Sequence, residues 1–479
     1  MHVPDWQGPL TEAYERASGY LAGLPDRPVG PRPLGSDDLA GELRAALGGP
    51  LPQDPGDPRE VVASLAEAAD RGLLPSGSGR FFGFVFGGAT PAAVAADWLA
   101  VAWDQNAGLY AASPAASVVE QVAAEWLVEL LGLPPTVSVG FVTGAQMANF
   151  TALAAARHEV LRRAGWDVEH DGLAGAPRIR VFTGAERHDT IDRALRFLGL
   201  GTGCVVPVPV DEQGRMRADE LASGLAGLDG PAIVCAQAGN VNTGAVDPLE
   251  AICSLAHAVG AWVHIDGAFG MWGAASPRLR PLLAGVEQAD SWATDAHKWL
   301  QVPYDSGLVF CAHPEPHRAA MSVRAGYLIH DPHGERDSLE YNPEFSRRAR
   351  GFAVYAAIRS LGRSGVAGLV DRCCALAEGF GARLAAADQV EVLNDVVLNQ
   401  VLIRFLSPDG DHDGLTRNVV RAVQAEGTCW MSGTIWQGRA AMRISVSNWT
   451  TDDSDVDLSV EALLRCARAC RGEAVRAGM

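Results

Sequence analysis

The chain has 479 residues, 48% hydrophobic and 20% charged, with a net charge of −18. That size and apolar content predict a large globular protein in two domains. The acidic balance argues against nucleic acid or anionic membrane as a partner, and no apolar run reaches the roughly 20 residues of a membrane helix. Nine cysteines, an odd number without a Cys-x-x-Cys pair, read as reduced core thiols and point to a cytoplasmic location. The opening Met-His-Val-Pro-Asp-Trp lacks the basic start and apolar core of an export signal.

In chain order, residues 1–90 read as an N-terminal arm rather than a domain. Its start is rich in Pro, Gly and Asp, with short helices over Leu10–Leu24 and Ser36–Leu47. Ala92–Trp103 and Ala115–Leu131 carry apolar residues at helical spacing, and Pro114 marks the start of the second. Strands and helices then alternate. Val139–Thr143 leads into Met147–Ala164, Ile179–Thr183 into Asp189–Leu198, and Ala232–Ala236 into Pro248–Val259. Trp262–Asp266 runs into a glycine-rich turn, and Gly307–Cys311 closes the series. This alternation predicts an α/β large domain over residues 91–345, with a mostly parallel sheet covered on both faces. Residues 346–479 read as a long helical connection and a smaller α+β domain, with strands at Val396–Phe405 and Met442–Val446 and helices at Leu415–Glu426 and Ser454–Cys470.

Lys298 is the only lysine among the 39 basic residues. A guanidinium serves as well as an ammonium on most surfaces, but it cannot act as an amine nucleophile. The position that keeps an amine lies in Ser291-Trp-Ala-Thr-Asp-Ala-His297-Lys298-Trp299, on a loop after the apolar run Ala261-Trp-Val-His-Ile-Asp266. A strand ending in a carboxylate, then His-Lys, is what a pyridoxal phosphate site requires. The lysine bonds the cofactor aldehyde, and Asp266 pairs with the protonated ring nitrogen that makes the ring an electron sink. Asp near a turn is by itself more often a capping residue; the lone lysine 32 positions on favours the functional role. Thr143-Gly144-Ala145-Gln146 offers a strand-to-helix turn for the phosphate, and Ser291 a hydroxyl. His188, in Glu186-Arg-His-Asp-Thr-Ile after a strand, could stack on the ring. No spacing demands a metal.

The runs His264-Ile-Asp266-Gly-Ala268-Phe and Ala289-Asp-Ser291-Trp-Ala-Thr-Asp-Ala-His297-Lys298-Trp299 resemble the group II pyridoxal-phosphate-dependent amino acid decarboxylases. The resemblance extends from Arg80-Phe-Phe-Gly-Phe84 through Ala112-Ser-Pro-Ala, Gly239-Asn-Val-Asn-Thr-Gly and Ser346-Arg-Arg-Ala-Arg350 to Gly438-Arg-Ala-Ala-Met-Arg443. It implies the aspartate aminotransferase fold (fold type I) and a homodimer with sites at the subunit interface, the arm wrapping the partner. It also implies that an amino acid substrate loses CO2 to give the amine. Lys298 would carry the cofactor, Asp266 would face its ring nitrogen, and His188 and Ala268 would lie on opposite ring faces. Ala145, Gln146, Ser291 and His297 would surround the phosphate, Phe84, Trp103 and Tyr110 would keep the substrate pocket aromatic, and a loop tyrosine, Tyr341 or else Tyr327, would return the proton.

The sequence also departs from that family. Gln146 replaces a serine or threonine. Asp295 stands where some relatives carry a neutral amide and is expected to point away from the phosphate. Gly87 and Gly108 replace pocket side chains. Aldehyde formation with oxidative deamination, transamination, and a catalytically silent dimeric partner are the competing readings.

Overall fold

The computed structural model describes residues 5–30, 38–323 and 334–472. The arm contains α1 (Gln7–Ala22), α2 (Leu39–Leu47) and α3 (Pro58–Asp70), followed by α4 (Pro91–Trp103) and α5 (Pro114–Leu131). Proline opens α3, α4 and α5, at the position where a missing N–H leaves no hydrogen bond unmade. α3 is absent from the sequence expectation. It has no buried residue, so it rests on contacts with α1 and α2 rather than on a core.

The large sheet has seven strands: β1 (Ser138–Val142), β2 (Arg180–Gly184), β3 (Val205–Val208), β4 (Ala232–Gln237), β5 (Trp262–Asp266), β6 (Ser291–Asp295) and β7 (Gly307–Cys311). Their order is β1-β7-β6-β5-β4-β2-β3, and only β7 runs against the rest. β4, β5, β6 and β7 are buried at every residue, as strands covered on both faces must be. The covering helices are α6 (Ala145–Arg163), α7 (Val168–Asp171), α8 (Asp189–Phe197), α9 (Ala218–Leu225), α10 (Leu249–Ala258) and α11 (Pro314–Met321). α6 crosses one face over β7, β6 and β5. Because the parallel strands share one direction, the turns after β1, β2, β4, β5 and β6 all open on one edge. That edge is where open α/β sheets bind their ligands.

After α12 (Gly351–Ala385), which kinks at Gly362, comes a second sheet. β8 (Val390–Val392), β9 (Gln400–Phe405), β10 (Ser432–Trp436) and β11 (Arg439–Ser445) pair antiparallel in the order β10-β11-β9-β8, backed by α13 (His412–Glu426) and α14 (Asp453–Cys470). The expected strand from Val396 begins only at Gln400. Before it, Asn394 and Asn399 spend their amides on backbone carbonyls, Asn394 on those of Thr243 and Gln400 and Asn399 on that of Val446, in place of a ladder. All nine cysteines are free, and eight are buried.

One ion pair ties this frame together. Arg347 Nη1 donates to both oxygens of Glu120 at 2.9 and 3.0 Å and to the Ala107 carbonyl; Nη2 donates to the Phe141 carbonyl. Both side chains are sealed from solvent, and Ser338 adds a hydroxyl to Glu120. Removing one partner leaves a buried charge uncompensated. Arg347→Ala should therefore destabilise the protein by about 3–5 kcal/mol, read as a lower urea midpoint. A loss under 1 kcal/mol would show that Glu120 finds another partner.

Candidate active site

Lys298 follows β6 by three residues, on the C-terminal edge of the sheet. Its Nζ lies 2.9 Å from Asp295 Oδ2. Asp295 is buried, and its Oδ1 accepts the backbone N–H of Ala145, the first residue of α6, at 2.5 Å. The carboxylate expected to point away thus sits at the α6 N-terminus, where the helix dipole and first-turn N–H groups favour an anion. The turn before α6 is made by Gly144, packed so closely against Gly307 that a side chain at Gly307 would collide with its backbone. His297 is buried beside this group. Its Nδ1 accepts from the Ser306 N–H, its ring lies 4.3 Å from that of Tyr304, and burial holds its pKa below the usual imidazole value.

Asp266 ends β5, the strand next to β6. It is 6% exposed, and its oxygens accept from Asn149 Nδ2 at 3.1 Å and from the Ala268 N–H at 3.2 Å. No arginine, lysine or histidine forms an ion pair with it among the described residues. A buried carboxylate lacking a cation is costly unless one arrives. A protonated ring nitrogen would be that cation, and a sole lysine on the neighbouring turn suits an aldehyde; the donor set therefore fits pyridoxal phosphate. Ala268 follows directly, its carbonyl accepting the Asp295 N–H.

His188 caps α8 on the same edge. Its Nδ1 accepts the Thr190 N–H and meets the Thr190 hydroxyl at 2.9 Å. The loop that carries it is held by Gln237 and Asn240, whose amides donate to the Glu186 carbonyl. Neither of these, nor Asn149, was found by sequence reasoning. Asn149 had a usable signal: one helical turn after Gln146, it lies on the face of α6 that meets β5.

Three expected residues sit differently. Ser291 begins β6, opposite His264 in the middle of β5, so it lies roughly four strand residues, ~13 Å, from the edge that carries Lys298. Its hydroxyl accepts from Trp262 Nε1 and contacts His264 Nδ1, and so is not presented to a phosphate. The loop expected for His297 and Lys298 is the turn that follows this strand. Gln146 turns its amide to the Thr190 carbonyl, leaving only its backbone for an anion. Tyr341 lies beyond β1, with β1 and β7 between it and β6. Its ring stacks under Arg336 at 4.3 Å and against His317, and its carbonyl accepts from His317. Within its own chain it is a packed anchor. Tyr327 lies outside the described residues.

Phe84 belongs to a ring cluster with Phe86 and Trp430, and Phe86 meets Tyr304, which meets His297. This cluster brings aromatic rings up to the residue beside Lys298. A side chain at Gly87 would strike the Lys298 carbonyl, which accounts for that departure; one at Gly108 would strike the Phe345 carbonyl. Trp103 packs on Phe352, and the Tyr110 N–H donates to Asp337; neither joins the cluster.

Comparisons with known proteins give the family. The family described as "Pyridoxal-dependent decarboxylase conserved domain" matches residues 41–406. An aromatic-L-amino-acid decarboxylase of Bacillus atrophaeus is 27% identical over 94% of this chain and 93% of its own length. An L-2,4-diaminobutyrate decarboxylase of Rhizobium meliloti is 28% identical over 78% of this chain and 75% of its own. Among solved structures, Oryza sativa TDC with PLP and tryptamine is 24% identical, with a TM-score of 0.89 over 98% of this chain and 99% of that one, a likeness of fold. The chain belongs to the pyridoxal-dependent decarboxylase family.

Proposed function

We propose that this enzyme decarboxylates an L-amino acid with an apolar, aromatic side chain to its amine, as a cytoplasmic homodimer. Lys298, Asp266 and His188 are the residues that touch cofactor and substrate. The observation that carries the reading is the buried, cation-free carboxylate of Asp266 one strand from the chain's sole amine. Pyridoxal phosphate, when bound, supplies an electron sink for the bond to CO2.

In this reading Lys298 is the amine that would hold the cofactor. Asp266 keeps the ring nitrogen protonated, and His188 and Ala268 hold the ring from opposite faces. The first turn of α6, with His297 beside it, would form the phosphate end; Gln146 offers a backbone N–H there, and the Ala145 N–H, bonded to Asp295, would have to be released for the phosphate to take it. Lys298 would also be placed to return the proton to the α-carbon, and Tyr341 serves as an anchor. The Phe84, Phe86, Trp430 and Tyr304 rings favour an apolar side chain, which supports the substrate class.

The dimer is supported by an apolar surface. α4 is hydrophobic around most of its circumference, yet Trp98, Leu99, Val101 and Trp103 are all at least 41% exposed. They adjoin Tyr14 of α1, and a cleft of about 1230 Å3 lies between the arm and Tyr304. A surface of this kind marks an interface. Trp103 and Tyr110, outside the ring cluster of their own chain, would line the partner's pocket across it.

Borohydride treatment of the holoenzyme should leave the cofactor covalently on Lys298, found by peptide mapping. Lys298→Arg should abolish the adduct and the visible absorbance, because a guanidinium cannot bond the aldehyde. A protein that takes up no chromophore from added pyridoxal phosphate would refute the reading. Asp266→Ala should bind cofactor yet lose roughly 10²-fold or more in kcat, the scale of a removed electrostatic partner. Near-normal turnover would move the pyridinium partner elsewhere. A panel of amino acids, with CO2, amine, aldehyde and peroxide measured together, should give amine and CO2 in equal amounts and the best rate with an aromatic substrate. A preference for acidic substrates would overturn the substrate class. Tyr341→Phe should leave the amine yield unchanged, and a shift to aldehyde in that variant would restore the tyrosine as the proton donor.

A further inference from the structure

Beneath the site runs one continuous line of hydrogen bonds. Trp262 Nε1 meets Ser291 Oγ at 2.9 Å, Ser291 Oγ meets His264 Nδ1 at 3.0 Å, and His264 Nε2 meets Asn149 Oδ1 at 2.9 Å. Asn149 Nδ2 then donates both to Asp266 Oδ2 and, at 3.2 Å, to Thr190 Oγ1. Thr190 Oγ1 meets His188 Nδ1 at 2.9 Å. The inner members, from Trp262 through Asn149, are all fully buried.

The chemistry of the two ends sets the direction of every bond between them. An indole N–H can only donate, so Ser291 accepts from Trp262 and has its own proton free for His264 Nδ1. An ionised carboxylate can only accept, so Asn149 must turn its NH2 to Asp266 and its carbonyl oxygen to His264. Both arguments place the proton of His264 on Nε2. They agree without sharing a premise. Burial keeps His264 neutral, its pKa held down to about 4, so it has a single proton to place. His188 Nδ1 already accepts the Thr190 N–H and so carries no proton, and the Thr190 hydroxyl, which accepts from Asn149, donates to it. That leaves the His188 proton on Nε2.

We propose that Asn149 and His264 are positioning residues that act as a directional relay. From the donor Trp262 it holds Asp266 as an oriented carboxylate and, through Thr190, fixes the proton of His188 on Nε2. The proposal rests on the decarboxylase reading for its purpose, but its tautomers are properties of the protein itself. Ser291 acquires a role here, as the second member of the relay. A bond network that is satisfied at each member gains rigidity, and one wrong orientation would leave a buried donor or acceptor unpaired.

The test is NMR of the 15N-histidine-labelled holoenzyme, with the His188 and His264 signals assigned by single substitutions. Both rings should carry one proton, on Nε2. In Asn149→Leu, His188 should lose its single tautomer although Asn149 does not touch it, and kcat should fall about tenfold or more with KM little changed, as for the loss of a supporting shell. His264→Gln, which returns an N–H to Asn149 Oδ1, should recover most of the rate, and His264→Leu should not. A proton on His264 Nδ1 in the wild type, or an unaltered His188 in Asn149→Leu, would overturn the relay. Should the Asn149 variant fail to fold, the wild-type tautomer of His264 decides alone. Loss of the Lys298 adduct with the tautomers intact would instead refute the decarboxylase reading.

Discussion

A carboxylate buried without a cation constrains everything near it. Asp266 sits on a central strand, covered by α6, where little water reaches it. Among the described residues two donors, the Asn149 amide and the Ala268 N–H, compensate its charge. Burying an ion in this way costs several kcal/mol when it is not paired. The fold tolerates that cost because β5 is locked between β4 and β6, and α6 packs on β5 and keeps Asn149 on Asp266. In the proposed reading, the protonated ring nitrogen of the cofactor would offset that cost.

The opposite end of the site is organised by charge as well. Asp295 joins the α6 N-terminus to Lys298, so the amine is held by an anion that itself rests on a helix dipole. The two carboxylates stand on adjacent strands, one at each end of the space where the cofactor would lie. Between them lies the His297 ring, whose pKa burial holds below the usual imidazole value. The aromatic rings from Phe84 to Tyr304 reach His297, beside Lys298, with apolar surface.

Much of the frame is legible in the sequence because buried parallel strands are apolar throughout. Trp262–Asp266 and Gly307–Cys311 have the same bounds in both readings, and the helices after β1, β2 and β4 lie within a few residues of their expected positions. β6 escapes because Ser291, Thr294 and Asp295 make it look like a loop. In the structure Ser291 and Asp295 are satisfied by Trp262 and by α6, partners that are distant in sequence. The same reason explains Ser291 and Gln146. Spacing places a residue on an element, but the direction of a hydroxyl or amide is decided by the element packed against it. Asn149 and His264 were missed for the converse reason, since each reads as an ordinary helix or strand residue until α6 lies on β5. Tyr341 is near the right segment in sequence, yet Arg336 and His317 draw its ring to the far edge of the sheet.

The central claim is that Asp266 is a lone buried charge that awaits a pyridinium. Reconstitution with cofactor labelled with 15N at the ring nitrogen tests it most directly, by NMR of the holoenzyme at neutral pH. The account predicts a protonated ring nitrogen in the wild type and an unprotonated one in Asp266→Asn. An unprotonated nitrogen in the wild type, or the same signal in both proteins, would contradict it.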